Sequence, residues 1–316
     1  MLKTHKEILI SFSFFFWGLF PILVYVNDDL SVIVATLWRI VFSLPIIIVI
    51  YKILNPSHHL LYEIFKYRKY IKYAILCGIL NIVSSGLFMY ALSSHRILES
   101  SFAYFLSPII SFVFAIFVLK ERLSKIQKIG IIVAILGVAV RLFFEKELPI
   151  IALLMALTFS CYCFLYKMMK APAPLITIIE YSFVAPIALI ILTVIRIKYD
   201  LKINSLSDLN NIIYLVVLNL LPLTLVIYNV NKVNFSLLGV MQYIEPSLHF
   251  IFAVVVYQET LSFQINFAFL LIWFGIVLFI LNHKISILLH KIQNVFLYNK
   301  KHKNINIIDE NPFEDI

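Results

Sequence analysis

The sequence predicts an all-α, polytopic membrane protein of ten transmembrane helices, arranged as two inverted repeats of five. Three observations carry that prediction. Of the 316 residues 62% are hydrophobic, and the mean hydropathy is +0.97, well above the roughly half-apolar usage of a soluble domain. The apolar residues fall in runs close to the ~20 residues that a ~30 Å hydrocarbon layer requires of a helix. The stretch Glu99–Ser124 returns 138 residues later as Leu237–Ser262. At that offset Pro108 falls on Pro246, Phe112 on Phe250 and Glu121 on Glu259, with Asn81 on Asn219 upstream and Gly137 on Gly275 downstream. One constant offset held over so long a stretch marks an internal duplication.

Taken in order, the spans are expected at 8–26, 31–51, 73–93, 100–119 and 128–144, then at 149–167, 174–195, 212–231, 237–257 and 264–282. The first follows Lys3 and Lys6 as a signal peptide would. It lacks a small-residue cleavage site and carries Trp17, Gly18 and Pro21, so it reads as a retained helix. The repeats then occupy residues 1–145 and 146–283, and residues 284–316 form a polar cytoplasmic tail that opens on a basic amphipathic segment.

The net charge of +9 is topological. One side of the membrane receives Lys3 and Lys6, the cluster from Lys52 to Lys72, the cluster from Lys120 to Lys128, Lys167, Lys170, Lys232 and the tail lysines. The other receives Arg96, Arg141, Lys146, Arg196, Lys198 and Lys202. The positive-inside rule puts both termini in the cytoplasm. Five helices per repeat, an odd number, then give the two repeats opposite orientations, a recurrent architecture of secondary transporters. The basic balance implies no nucleic-acid partner. Cys77, Cys161 and Cys163 lie within apolar runs and suggest neither a disulfide framework nor a metal site. No cofactor is expected, and a homodimer is left open.

The residues quoted so far, with further motifs, resemble the drug/metabolite transporter superfamily, its EamA-type carriers, and within them the RarD proteins. The motifs are Trp17–Pro21, Arg39 followed by Pro45, Leu98–Pro108, the Phe117–Ser124 helix end, Leu148–Leu153, Glu180 before Pro186, and Leu237–Pro246. The chain departs from the RarD pattern in having no lysine near Tyr25, and in having Glu245 where relatives commonly place a small residue. The resemblance implies an inner-membrane carrier for an amphipathic metabolite or drug-like solute.

Charged groups inside a membrane are costly, so each demands a role. Arg39 lies near mid-depth in the second span, either as a structural residue that bonds backbone carbonyls or as a gating or substrate residue. Glu180 holds a related place in the seventh span, each residue lying six before a proline. Their opposite signs suggest that they meet directly or bind opposite groups of a zwitterion. Pro108 and Pro246 are expected to kink their helices and free the carbonyls of Tyr104 and Gln242, tolerable in lipid only against protein or a wet path. Tyr104, Gln242 and Tyr243 are therefore candidates to line that path, a packing kink being the alternative. Asn81 and Asn219 are candidates for interhelical hydrogen bonding or substrate contact. Glu121 and Glu259 end their helices, where the macrodipole disfavours a carboxylate, and read as interface or gate residues. Glu245, whose repeat partner is Ser107, is the candidate coupling residue for protons.

The expected function is a secondary transporter working by alternating access, with a small-molecule substrate. Two other classes compete. An intramembrane enzyme would need a catalytic or metal motif such as HExxH or GxSxG, and the sequence holds neither. A non-transporting scaffold or sensor would have no need of polar residues at mid-depth in both halves.

Overall fold

The computed structural model describes residues 5–19, 32–57, 59–93, 97–144, 150–199, 206–255 and 263–282. Every regular element among them is helical, the outcome expected where no water is available to satisfy a backbone and each span must bond itself. The helices are α1 (His5–Gly18), α2 (Val32–Leu54), the short α3 (Leu60–Lys66), α4 (Ile71–Ser93), α5 (Ile97–Val113), α6 (Lys125–Phe143), α7 (Ile150–Met168), α8 (Ala173–Tyr199), α9 (Leu206–Val230), α10 (Phe235–Gln242) and α11 (Ile244–Val255). The last span, α12, is Phe263–Asn282. Six of the described helices are long and apolar enough to cross a membrane. Pro21, the expected link between the first two spans, Glu259 and the tail lie outside the described residues.

Where a span's ends are described they lie within about six residues of the expected ones, except at one place; the expected end of the first span, at 26, lies outside the described residues. A single span over 237–257 was expected, and two helices, α10 and α11, stand there with Tyr243 between them. Pro246 is thus the third residue of a new helix, in the first turn, where its missing N–H has no intrahelical partner to lose. Its counterpart Pro108 lies inside α5, and that helix continues through it. The irregularity of α5 comes later. Residues Phe114–Val118 form a π-turn closed by Leu119 N–H on the Phe114 carbonyl at 2.8 Å. Lys120 then takes a left-handed φ of 52°, which ends the helix and redirects the chain at Glu121.

Residue contacts divide the chain into two units, and each draws helices from both sequence repeats. Among the described residues the smaller holds Leu123–Arg141 and 264–282, hence α6 and α12. These two helices meet backbone to backbone at small residues, as membrane helices do when no side chain keeps them apart. A Cβ on Gly130 would lie 2.6 Å from the Gly275 carbonyl oxygen, and one on Gly137 2.8 Å from the Ala268 carbonyl oxygen. The 138-residue offset turns Gly130 into Ala268 and Gly137 into Gly275, so it exchanges these two contacts.

In the larger unit, Leu2–Arg122 with Leu142–Phe263, α2 packs on α8, α4 on α7 and α8, α5 on α7 and α10, α9 on α1 and α2, and α11 on α1. Its core is aliphatic and aromatic, with Tyr162, Tyr166, Tyr181 and Tyr243 among the largest fully buried side chains. Buried tyrosines are informative because each hydroxyl needs a partner. Three of these four lie around one carboxylate.

Candidate functional site

That carboxylate is Glu180 on α8, fully buried. Its Oε1 accepts from Asn81 Nδ2 of α4 at 3.0 Å, and its Oε2 from the Tyr166 and Tyr162 hydroxyls of α7 at 2.6 and 3.3 Å. The short Tyr166 bond is what a charge-assisted O–H donor gives. Asn81 also lies 3.5 Å from the Tyr181 hydroxyl, and Tyr166 lies 3.1 Å from Thr177 Oγ1. Ser85, one turn on from Asn81, donates to Asn81 Oδ1 at 3.4 Å and accepts from Arg39 Nη2 at 3.1 Å. Arg39 on α2 gives its other terminal nitrogen, Nη1, to Asn219 Oδ1 of α9.

Arg39, Asn81, Glu180 and Asn219, four candidates drawn from four separate spans, are therefore one network. Arg39 and Glu180 do not pair directly, as their opposite signs suggested. Ser85 and Asn81 stand between the two charges and carry the connection. Sequence reading missed Ser85, Tyr162, Tyr166 and Tyr181. The usable signal was helical spacing, since Ser85 follows Asn81 by four residues, Tyr166 follows Tyr162 by four, and Tyr181 adjoins Glu180.

A second polar cluster follows the seam of α5 with α10 and α11. The Tyr104 phenol interacts with the buried Glu245 carboxyl across this seam. The Tyr104 ring also meets the His249 ring edge to face, with centroids 5.6 Å apart and planes at 76°. Two turns along α5, Ser111 Oγ donates to Gln242 Oε1 at 3.1 Å. The repeat offset exchanges this contact with the Tyr104–His249 contact, because Tyr104 corresponds to Gln242 and Ser111 to His249. Between them, Ser107 Oγ lies 3.0 Å from Ser160 Oγ. Gln242 Nε2, the Tyr243 hydroxyl and both ring nitrogens of His249 are buried with no partner among the described residues. The two clusters thus differ in kind: the Glu180 carboxylate and the Arg39 guanidinium are held by protein groups, whereas the seam keeps hydrogen-bonding capacity unspent.

Glu121 has the basic sequence neighbours Lys120, Arg122 and Lys125. The structure gives it a different partner. Its Oε1 accepts from Phe235 N–H at 2.5 Å, and its Oε2 from Ser236 N–H at 3.0 Å and Ser236 Oγ at 2.6 Å. Phe235 opens α10, whose own N-cap residue, Asn234, makes no side-chain cap bond. The carboxylate that the end of α5 disfavours is thus placed at the positive end of α10, where it satisfies orphan N–H groups. On the other side of the same turn, Lys167 Nζ donates to the Val230 and Val233 carbonyls at 3.1 and 2.5 Å, closing α9. Lys167 also borders an open cleft of about 420 Å³ with Tyr67, Lys170 and Asn231.

The sequence profile of the EamA-like transporter family matches residues 6–143 and again residues 148–281. The chain belongs to the EamA-like transporter family. Within it, the chain is 27% identical over 287 residues to the protein RarD of Escherichia coli K12, covering 89% of this chain and 95% of RarD. RarD of Salmonella typhi is likewise 27% identical over 287 residues, covering 89% of this chain and 96% of that protein. An uncharacterized transporter of Bacillus subtilis, YojE, is 26% identical over 280 residues, or 88% of this chain and 94% of its own length. A solved crystal structure shares the fold with a TM-score of 0.63 at 16% identity, covering 87% of this chain and 97% of that one. The protein is therefore a multi-pass membrane transporter of the EamA and RarD type.

Proposed function

We propose that this EamA-like transporter is a secondary carrier that moves a small metabolite or amphipathic drug-like solute across the inner membrane by alternating access, with ten spans in two inverted five-helix repeats. The broken pair α10 and α11 counts as one span in this reading. The observation that carries it is the exchange of contacts under the 138-residue offset. Gly130 with Gly275 trades places with Gly137 and Ala268, and Ser111 with Gln242 trades places with Tyr104 and His249. Contacts that interchange in this way are what a pseudo-two-fold axis between duplicated halves produces. Secondary transporters place their solute and coupling sites at such an interface. The two matches of the family profile, one per half, support the division at about residue 145.

Orientation follows from charge. With both termini cytoplasmic, single cysteines at Ser57 and Asp28 in a cysteine-free background should be labelled from opposite sides of intact cells. Labelling of both from outside would sink the topology.

Within this reading Glu245 couples transport to protons. It is a buried carboxyl on the seam between the repeats, and its repeat partner is a serine. A proton-coupled carrier needs one titratable group exposed alternately to the two sides. In proteoliposomes the wild-type protein should accumulate solute in response to a pH gradient, and Glu245→Gln, assayed at saturating solute, should lose that accumulation, its remaining exchange no longer responding to the gradient. Gradient-driven uptake at the wild-type level in the Gln variant would remove Glu245 from the coupling role. The absence of any saturable flux would remove the transporter reading itself.

A further inference from the structure

The two copies of the duplicated helix differ at many positions, and at two of them, one helical turn apart, a serine in one copy faces a titratable group in the other. Where α5 has Ser107 and Ser111, α11 has Glu245 and His249. Both serines are satisfied within the protein, Ser107 by Ser160 and Ser111 by Gln242. Both replacements on α11 bring chemistry that the serines lack: a carboxyl, and an imidazole with one donor and one acceptor nitrogen. Residues four apart share a helix face, and Tyr104 neighbours both, its ring meeting His249 edge to face and its phenol interacting with the Glu245 carboxyl. The three side chains therefore border one place.

Both His249 nitrogens are buried there without a partner among the described residues, and Gln242 Nε2 and the Tyr243 hydroxyl lie in the same condition along the seam. Buried polar groups of this kind are rare, because each left unmade costs roughly 1–3 kcal/mol. They persist where a ligand completes them.

The chemistry of the three residues selects the ligand. No lysine or arginine touches Glu245, Tyr104 or His249 among the described residues, and the Arg39 guanidinium is engaged by Asn219 and Ser85. An anion would face the carboxyl with no counter-charge. An amine would have the carboxyl as counter-charge, the imidazole acceptor nitrogen for one of its N–H bonds and the Tyr104 ring face for its charge. The remaining imidazole N–H then requires an acceptor atom close to the amine in the same molecule. We propose that Tyr104, Glu245 and His249 form the subsite for the polar end of the transported solute, and that this solute is an organic amine carrying a nearby hydrogen-bond acceptor. The assignment rests on the transporter reading above.

Three probes with the same ring and similar chain length separate the charge classes: L-phenylalaninol, 3-phenyl-1-propanol and 3-phenylpropionate. Thermal unfolding of the full-length, detergent-purified protein should shift upward saturably with phenylalaninol, less with the alcohol, and not with the acid. His249→Ala and Glu245→Gln should each weaken phenylalaninol at least tenfold. His249→Gln, which restores one donor and one acceptor, should recover most of the affinity. Unliganded unfolding midpoints, measured alongside, separate lost binding from lost folding. Stabilisation by the acid above the amine, wild-type affinity in His249→Ala, or no response to phenylalaninol overturns the subsite. Counterflow in proteoliposomes separates this from the larger reading. Binding of the amine without flux of any probe sinks the transporter and leaves the subsite, whereas saturable flux of the acid alone sinks the subsite and leaves the transporter.

Discussion

Glu180→Ala should destabilise the protein by roughly 3 kcal/mol or more, because it strands buried partners instead of removing a surface group. The Tyr162 hydroxyl loses its acceptor and Asn81 Nδ2 keeps only its long bond to the Tyr181 hydroxyl, at 3.5 Å, while Tyr166 keeps Thr177. Arg39 loses the negative charge at the far end of its relay through Ser85 and Asn81. Glu180→Gln keeps the shape and one acceptor oxygen and should lose distinctly less, as read from unfolding midpoints in detergent. The relay makes a sharper claim. Arg39→Gln and Glu180→Gln should couple, with a double-mutant interaction energy on the order of 0.5–3 kcal/mol for stability or ligand affinity. Adding Asn81→Ala, which cuts the relay, should abolish that coupling. Simple additivity in the background with Asn81 intact would mean that the two charges act separately.

What could be read from the chain depended on whether the deciding contact was local. The long apolar runs over α2, α4, α6, α7, α8 and α12 declare themselves, because in lipid a span of that length has to be helical. That Arg39 and Glu180 fall within such runs was legible for the same reason. Their partners were not, because sequence gives depth along a helix but not which neighbour each face meets. The suggested direct pair turned out to be two charges separated by Asn81 and Ser85, which follow one another at helical spacing on α4.

The duplicated proline shows a subtler limit. Pro108 and Pro246 are the same residue at the same offset, yet one lies inside a continuing helix and the other in the first turn of α11. A proline removes the same donor in both settings. Whether that breaks the helix depends on where the helix begins, and tertiary contacts decide that. Glu121 illustrates the long-range case. Its basic sequence neighbours offered a sufficient local account, while its actual partners are the N–H groups of Phe235 and Ser236, more than a hundred residues away. His249 escaped notice because a lone histidine in an apolar helix forms no motif. The 138-residue offset was the available signal, since it sets His249 against Ser111 just as it sets Glu245 against Ser107.

Gly275→Val should disrupt the α6–α12 pair outright and give the largest loss of folded protein expected from any glycine substitution in this chain. Even the first added carbon has no room. A Cβ at Gly275 would lie 2.4 Å from the Gly130 carbonyl oxygen and 2.8 Å from the Ala134 backbone nitrogen. Both obstacles are main-chain atoms of the facing helix, so no side-chain rotation relieves the clash and the two helices must separate. Overpacking a well-fitted interior already costs about 1–3 kcal/mol where side chains can yield. Here separation also forfeits the dispersion contacts along the seam, the main attraction between helices in lipid. Gly275→Ala should therefore fall between wild type and Gly275→Val. Gly86 provides the control, since a Cβ there meets nothing within 4 Å, and Gly86→Ala should be neutral or stabilising by up to about 1 kcal/mol through helix propensity alone. The measurement is the yield of monodisperse protein and its unfolding midpoint in one detergent for the four proteins. A midpoint for Gly275→Ala equal to that of Gly86→Ala would mean that α6 and α12 do not pack through these glycines.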